Sequence, residues 1–439
     1  MPTSSSIVSV EATWERTALD KARDTTALRL TIRGHRPATV ERHRAPIDIA
    51  LVLDRSGSMR GDKIDLAKQA ANASLGHLIP DDQVAVVTFD NEIDVLQALA
   101  PADPATRARI RSNLDQVDAR GGTALSDGWL TGCQQLATAM PSHQNRLQRA
   151  ILLTDGQANQ GITDVDSLSR HASELWARGI STTTMGVGIG FDEVLLTSMA
   201  EAGGGNFHYV ERPDHFAAIF TQEIGGLTEL AALHPRLEIT LPRGLRAHLL
   251  NRFPTQRVEK TITVNLRDLI DRDQIDLVFV VTHRGNLDAS SPLVRAHVDA
   301  ADPLTGEAVR IDAAIPPLAF VSREEAAAAP VNHSVRVARE IEQALLEQRE
   351  ALRLDREGRH VESRQRFAAA SMHLADVDAA AMAAGYAGIA PNDITSLQET
   401  ARELRTMAAA PAMAYEEDVY KRRAAAHAER SRGGRRDMD

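Results

Sequence analysis

The stretch Asp54-Arg55-Ser56-Gly57-Ser58 offers one carboxylate and two hydroxyls on alternate residues. All three donors are oxygen, which hard divalent cations prefer, and Mg²⁺ in particular demands near-octahedral oxygen geometry. Three donors leave such a sphere short, and two other stretches could complete it. One is Gly121-Gly122-Thr123-Ala124-Leu125, where the glycines let the backbone pass closely and Thr123 adds a hydroxyl. The other is Leu152-Leu153-Thr154-Asp155-Gly156, where Asp155 follows an apolar run. Plainer readings exist for each part. Ser56 and Ser58 could cap the following helix, Thr123 could be a helix N-cap, and Asp155-Gly156 could be an ordinary turn.

The elements around these residues favour the joint reading. Ile47 to Leu53 is a nearly continuous apolar run, the pattern of a strand covered on both faces, and it delivers Asp54 at its carboxyl end. A helix is expected from Asp62 to Leu78, then strands at Gln83–Phe89 and, as a short edge, Ile93–Leu96. Helices at Pro104–Leu114 and Leu125–Ala139 precede a strand at Ala150–Thr154. A helix at Val165–Arg178, a strand at Ile180–Val187, a helix at Glu193–Ala202, a strand at Asn206–Val210 and a helix from Asp214 onward complete the series. Strands alternating with helices imply right-handed βαβ units and a mostly parallel sheet with helices on both faces. Open sheets of this kind place ligands beyond the carboxyl ends of their strands, which is where all three stretches fall.

With five positions in order on strand ends, residues 46–230 resemble the von Willebrand factor A family. Its metal-ion-dependent adhesion site has the pattern Asp-x-Ser-x-Ser, then Thr, then Asp. The resemblance implies that Ser56, Ser58 and Thr123 coordinate the cation directly and that Asp54 and Asp155 bind it directly or through water. It also implies Mg²⁺, with Mn²⁺ or Ca²⁺ as alternatives, and one open metal position for water or for a Glu or Asp of a partner protein. Loop position alone nominates Arg55, Arg60, Asn91, Gln157 and Asn159 as a rim that reads the partner.

Two enzyme classes fit less well. A response-regulator receiver wants an acidic pair before its first helix and a later lysine, and neither is in register. A serine hydrolase would pair Ser58 with a histidine and an acid. No Gly-x-Ser-x-Gly elbow is present, His171 falls in a helix, and His208 falls on a strand. We therefore expect no catalytic residues. Cys133 shares helical spacing with Leu130 and Leu136, which makes it a core residue.

Outside residues 46–230 the pattern changes. Ile7–Trp14 and Thr26–Gly34 read as strands with nothing to pair with before residue 46. After Arg236 come strand-like runs at Leu237–Leu241, Thr261–Leu266, Ile275–Thr282, Leu293–Val298 and Ala308–Ile311, separated by Pro, Gly, Asn and Asp turns. The expected architecture is α/β: residues 1–45 and 235–320 form one β-sandwich into which the doubly wound domain 46–230 is inserted. A helical region at 330–420 and a basic tail at 421–439, expected to be disordered, follow. Ala338 to Phe367, turning at Glu357-Gly358-Arg359, looks like a helical hairpin of the tetratricopeptide type. With a single such unit it reads as a packed appendage rather than an array.

Bulk properties narrow the function. The 439 residues carry a formal charge of −10, which argues against a general nucleic-acid binder. No apolar run is long enough to span a bilayer. The start of the chain lacks the pattern of a secretory signal, and the single cysteine allows no intrachain disulfide. These features suggest a cytoplasmic, metal-dependent protein-binding module, with an AAA+ ATPase or its client as a conceivable partner. A scaffold whose metal only stabilises the fold, and a secreted adhesin, are the alternatives.

Overall fold

The computed structural model describes residues 7–36, 46–138, 146–155, 158–188, 191–210, 219, 230–251, 253–284, 293–303 and 305–409. The expected helix from Asp214 and the basic tail at 421–439 lie outside them. The N-terminal strands are β1 (Val8–Trp14), β2 (Ala18–Asp20) and β3 (Arg23–Gly34). The inserted unit follows with β4 (Ile47–Asp54), α1 (Asp62–Gly76), β5 (Gln83–Phe89), β6 (Ile93–Pro101), α2 (Pro104–Asp115) and α3 (Leu125–Ala137). It continues with β7 (Leu147–Thr154), α4 (Val165–Ala177), β8 (Ile180–Val187), α5 (Glu193–Ala202) and β9 (Gly204–Val210).

Its sheet runs β6-β5-β4-β7-β8-β9, parallel except for β6, which pairs antiparallel with β5 at the edge. Every residue of β4 is buried because helices cover both faces. Alternation divides the strand: Ile47, Ile49, Leu51 and Leu53 join the core under α1 and α2, while Ala50 and Val52 join the core under α3, α4 and α5. Two glycines set how closely α3 lies on the sheet. A Cβ at Gly132 would stand 2.3 Å from Val52 Cγ2, and one at Gly128 would stand 2.5 Å from the Phe89 ring. Any side chain at either position would lift α3, and with it the Thr123 loop at its start. Cys133 is buried on this helix, and desolvation pushes its thiol up to about 12, as befits a core residue.

The chain then returns to strands: β10 (Leu230–Thr240), β11 (Leu245–Leu249), β12 (Thr255–Val258), β13 (Thr261–Asn265), β14 (Leu269–Ile270), β15 (Gln274–Arg284), β16 (Arg295–Ala301), β17 (Ala308–Asp312) and β18 (Ala319–Val321). One sheet is β1-β3-β15-β11 and its partner is β12-β13-β10-β16-β17. Contrary to expectation, the two leading strands do pair before residue 46, β1 running antiparallel to β3, and β3 in turn pairs with β15 from Arg33–Gln274 to Arg23–Arg284. A single apolar core, including Leu28, Leu30, Ile32, Leu237, Ile239, Leu277 and Phe279, fills the space between the sheets. The α/β unit is an insertion in this sandwich, as the sequence pattern implies. β10 joins the two bodies, since Leu230 packs in the inserted domain and Leu237 in the sandwich.

Helices α6 (Arg323–Ala328), α7 (His333–Arg356), α8 (His360–Ala383) and α9 (Pro391–Ala409) close the described chain. The last three pack around Ile341, Phe367, Leu374, Leu397 and Leu404. Val335 of α7 reaches Ala27 and Val278 on the outer face of the first sheet. Beside that contact Arg29 bridges two acids, Asp276 at 2.7 Å and Asp393 of α9 at 2.9 Å.

Candidate metal centre

Asp54 ends β4 and is fully buried. Its Oδ1 accepts from the Ser56 amide at 2.7 Å, and its Oδ2 accepts from Thr154 Oγ1 at the end of the neighbouring β7. Ser56 precedes a 3-10 turn (Gly57–Met59), yet its side chain makes no capping bond, and α1 is preceded by Gly61 without a side-chain cap. The capping explanation of the two serines therefore fails. Instead Ser56 Oγ lies 3.0 Å from Ser58 Oγ, and Ser58 Oγ donates to Asp155 Oδ1 at 2.8 Å. Four of the five sequence-selected side chains thus form one connected cluster at the carboxyl ends of β4 and β7.

Thr123 enters from the second loop and is 3 % exposed. Asn159 fixes it: Thr123 N donates to Asn159 Oδ1 at 2.9 Å, and its carbonyl accepts from the amides of Asn159 and Gln160. Ala124, not Thr123, occupies the N-cap of α3, so Thr123 is no helix cap. The first two loops are joined by Gly57 N to Gly121 O at 3.1 Å and Arg120 N to Arg55 O at 2.7 Å. Gly121 has φ +70°, and a Cβ there would collide with Asn91 Oδ1, so only glycine suits this crossing.

The rim differs from expectation at one position. Arg55 is 6 % exposed and its guanidinium pairs with Asp90 at 3.2 Å and Asp94 at 2.6 Å. Asp90, itself buried, holds it and also pairs with Arg120 at 2.7 Å. Burial opposes ionisation of Asp90, but the Glu92 amide and the two guanidiniums outweigh it and hold the carboxyl below its ordinary range. Arg60, Asn91 and Asn159 are exposed beside the cluster, while Gln157 lies outside the described residues.

One member of the site was not selected from sequence. Lys63, in the first turn of α1, donates its ammonium to Asp155 Oδ2. A signal existed: a lysine at a helix N-terminus opposes the macrodipole unless a carboxylate holds it.

The donor set suits a hard cation. Five side chains supply only oxygen, two of them carboxylates, and an ammonium already rests on one carboxylate as a stand-in positive charge. Burial pushes the Asp54 carboxyl up to about 6 and the charge of Asp155 adds to this, against the hydrogen bonds from Ser56 and Thr154. A divalent ion at this point would compensate both acids. A separate cluster, Glu238, His297 and Asp299, lies on the second sandwich sheet. Its carboxylates already have guanidinium partners, Asp299 with Arg310 at 2.6 Å and Glu238 with Arg236 at 3.2 Å.

Comparison with known proteins identifies the type of the inserted unit. Residues 48–222 match the family model described as von Willebrand factor type A domain, so the inserted unit is a domain of that type. The chain is 27 % identical over 231 residues to the uncharacterised protein sll0103 of Synechocystis sp., covering 53 % of each chain. It is 30 % identical over 166 residues to the human inter-alpha-trypsin inhibitor heavy chain H4, covering 36 % of this chain and 18 % of that one. It thus spans about half of the first relative and under a fifth of the second. Among solved structures, a von Willebrand factor type A protein from Catenulispora acidiphila superposes with a TM-score of 0.66 at 17 % identity, covering 94 % of this chain and 93 % of that one. An ArnB paralog, VWA2, from Sulfolobus acidocaldarius gives 0.58 at 17 % identity, covering 92 % and 100 %. At such identities the likeness is one of fold, and it extends beyond the inserted domain to nearly the whole chain.

Proposed function

We propose that this chain is a metal-dependent protein-binding module and not an enzyme. Asp54, Ser56, Ser58, Thr123 and Asp155 would hold a divalent cation, with Mg²⁺ the best match to an all-oxygen set. When bound, the ion supplies positive charge and a coordination position that a Glu or Asp of a partner protein can fill. The observation that carries the reading is Asp54: it is fully buried, and its hydrogen-bond donors among the described residues, from Ser56 and Thr154, are all uncharged. An ionised carboxylate so placed is costly unless a cation compensates it.

The chain's own residues divide the remaining work. Burial of Asp54, Thr123 and Asp155 keeps competing water from the inner side. Exposure of Ser58 leaves the outer side open, and Arg60, Asn91 and Asn159 border that opening. Any acidic side chain satisfies a cation, so partner choice falls to this border. The match of residues 48–222 to an interaction-type domain supports a binding role.

A second reading has its own support. The same residues tie three loops together, so a metal could serve stability alone. The two readings separate in one experiment: capture of partners by wild type and by Asp54→Ala, each with Mg²⁺ and with excess chelator, at a temperature where circular dichroism shows all samples folded. The binding reading expects partners only with wild type and Mg²⁺. Equal capture in all four samples would overturn it and leave the metal a structural part.

A further inference from the structure

Asp155 is engaged on both oxygens. Ser58 Oγ donates to Oδ1 at 2.8 Å, and the Lys63 ammonium sits on Oδ2. Lys63 is well placed for this contact. It lies in the first turn of α1, two residues after the N-cap Gly61. The stem is guided by the backbone after β8: a Cβ built on Gly188 would stand 2.8 Å from Lys63 Cε. The side chain is nevertheless 31 % exposed, so the amine has a route to water.

A cation held through Ser56, Ser58 and Asp155 would come within a few ångströms of this ammonium. Like charges at such a distance, near the protein surface, repel strongly. Resting on the metal-site reading above, we propose that Lys63 is a built-in competitor of the cation: its ammonium neutralises Asp155 in the metal-free protein and leaves that carboxylate when a divalent ion binds. The affinity of the site is then set by a difference between two cations, one tethered and one free. Metal loading also carries a movement, because the released amine swings outward at the start of α1, beside the opening where a partner acid would approach.

Calorimetric titration of the full chain with Mn²⁺ and Mg²⁺ tests this. Lys63→Met, which keeps the stem and removes the charge, should bind at least tenfold tighter than wild type. Lys63→Arg, which keeps the charge, should stay within a few-fold of wild type. Tight binding by Lys63→Met alone, with none measurable for wild type, also supports competition, provided Asp54→Asn added to Lys63→Met abolishes it. Binding by wild type with equal or weaker binding by Lys63→Met overturns the proposal and leaves the metal site standing. No binding by either protein overturns both. Should Lys63→Met fail to fold, the wild type decides: amine labelling of Lys63, read by mass spectrometry against exposed Lys260, should quicken when Mg²⁺ is added. An unchanged ratio would overturn the competition.

Discussion

Asp54 and Asp276 are aspartates on β-strands in two different parts of the molecule, and their carboxyls are driven in opposite directions. At the junction of sandwich and helices, burial opposes the charge on Asp276, but Arg29, Thr31 and Gln274 outweigh it and hold the carboxyl below its ordinary range. Arg29 also takes Asp393, so the acids it brings together share a fixed guanidinium. At the loop end of the inserted domain the acids have hydroxyls, an amide and one tethered lysine, and burial wins at Asp54. The first arrangement is complete as it stands and acts as a fastening. The second leaves the Asp54 carboxyl without a cationic partner among the described residues, which is the feature the proposed cation site rests on.

The contrast is sharpest when the compensating group is removed. Arg29→Ala should lower unfolding free energy by about 3 kcal/mol, since it strands acids that no longer have a cation. Urea denaturation followed by circular dichroism would show it, and a change near zero would mean the junction is no fastening. At the other end a compensating charge can be added. Mg²⁺ at about 100 times its dissociation constant should stabilise wild type by roughly 2.7 kcal/mol if only the folded state binds it. Thermal melts of wild type and Ser56→Ala, with and without Mg²⁺, check this; an equal response in both would place the ion elsewhere.

Removal of the charge itself should have the opposite sign to the Arg29 result. With its folded pKa raised, ionised Asp54 is less favourable in the folded state than in the unfolded one at neutral pH. In chelator, Asp54→Asn should therefore gain ~1–2 kcal/mol while losing all response to Mg²⁺. Loss of stability there would erase the distinction between the two regions. The smallest effect concerns acid. The folded pKa of Asp276 is depressed, so its stabilisation is complete above its unfolded value near 4 and fades as pH falls through the folded one. Between about pH 5 and pH 3 wild type should lose more stability than Asp276→Asn, by less than about 1 kcal/mol. Urea midpoints across that range measure the difference, and parallel curves would refute it.

Much of the site was legible in sequence because its donors are consecutive or follow apolar runs. Ile47 to Leu53 announces β4, and Asp54 must then stand at its end. The insertion was legible as well: β1 and β3 pair with each other, but two strands cannot enclose a core, so their sheet requires partners later in the chain. What escaped was decided by long-range contact. The side of the loop that Arg55 occupies depends on Asp90 and Asp94, about 35 residues away. β10 was expected from Leu237 but starts at Leu230, because His234-Pro235 resembles a turn while the chain passes it by a bulge and continues pairing with β16. The three-residue strands β2 and β18 carry no periodicity and exist through their parallel pairing with each other. Lys63 was passed over because a lone lysine on a helix is ordinarily a solvated one.

The pairing of β3 with β15 also has a meaning for synthesis. β1 and β3 leave the ribosome well before β15, the strand that extends their sheet, which begins only at Gln274. At ~5–20 residues per second, that neighbour follows on the order of tens of seconds later. The β4–β9 sheet, all of whose strands lie within residues 47–210, can finish in the interval, while β1 and β3 wait as a two-stranded pair with the β3 edge still uncovered. Arg23, Thr25, Arg29, Thr31 and Arg33 punctuate the waiting strand with charge and polarity, a composition that discourages pairing with another nascent chain. β15 then gathers up the sandwich's earlier strands, leaving time for the inserted domain to fold before they meet.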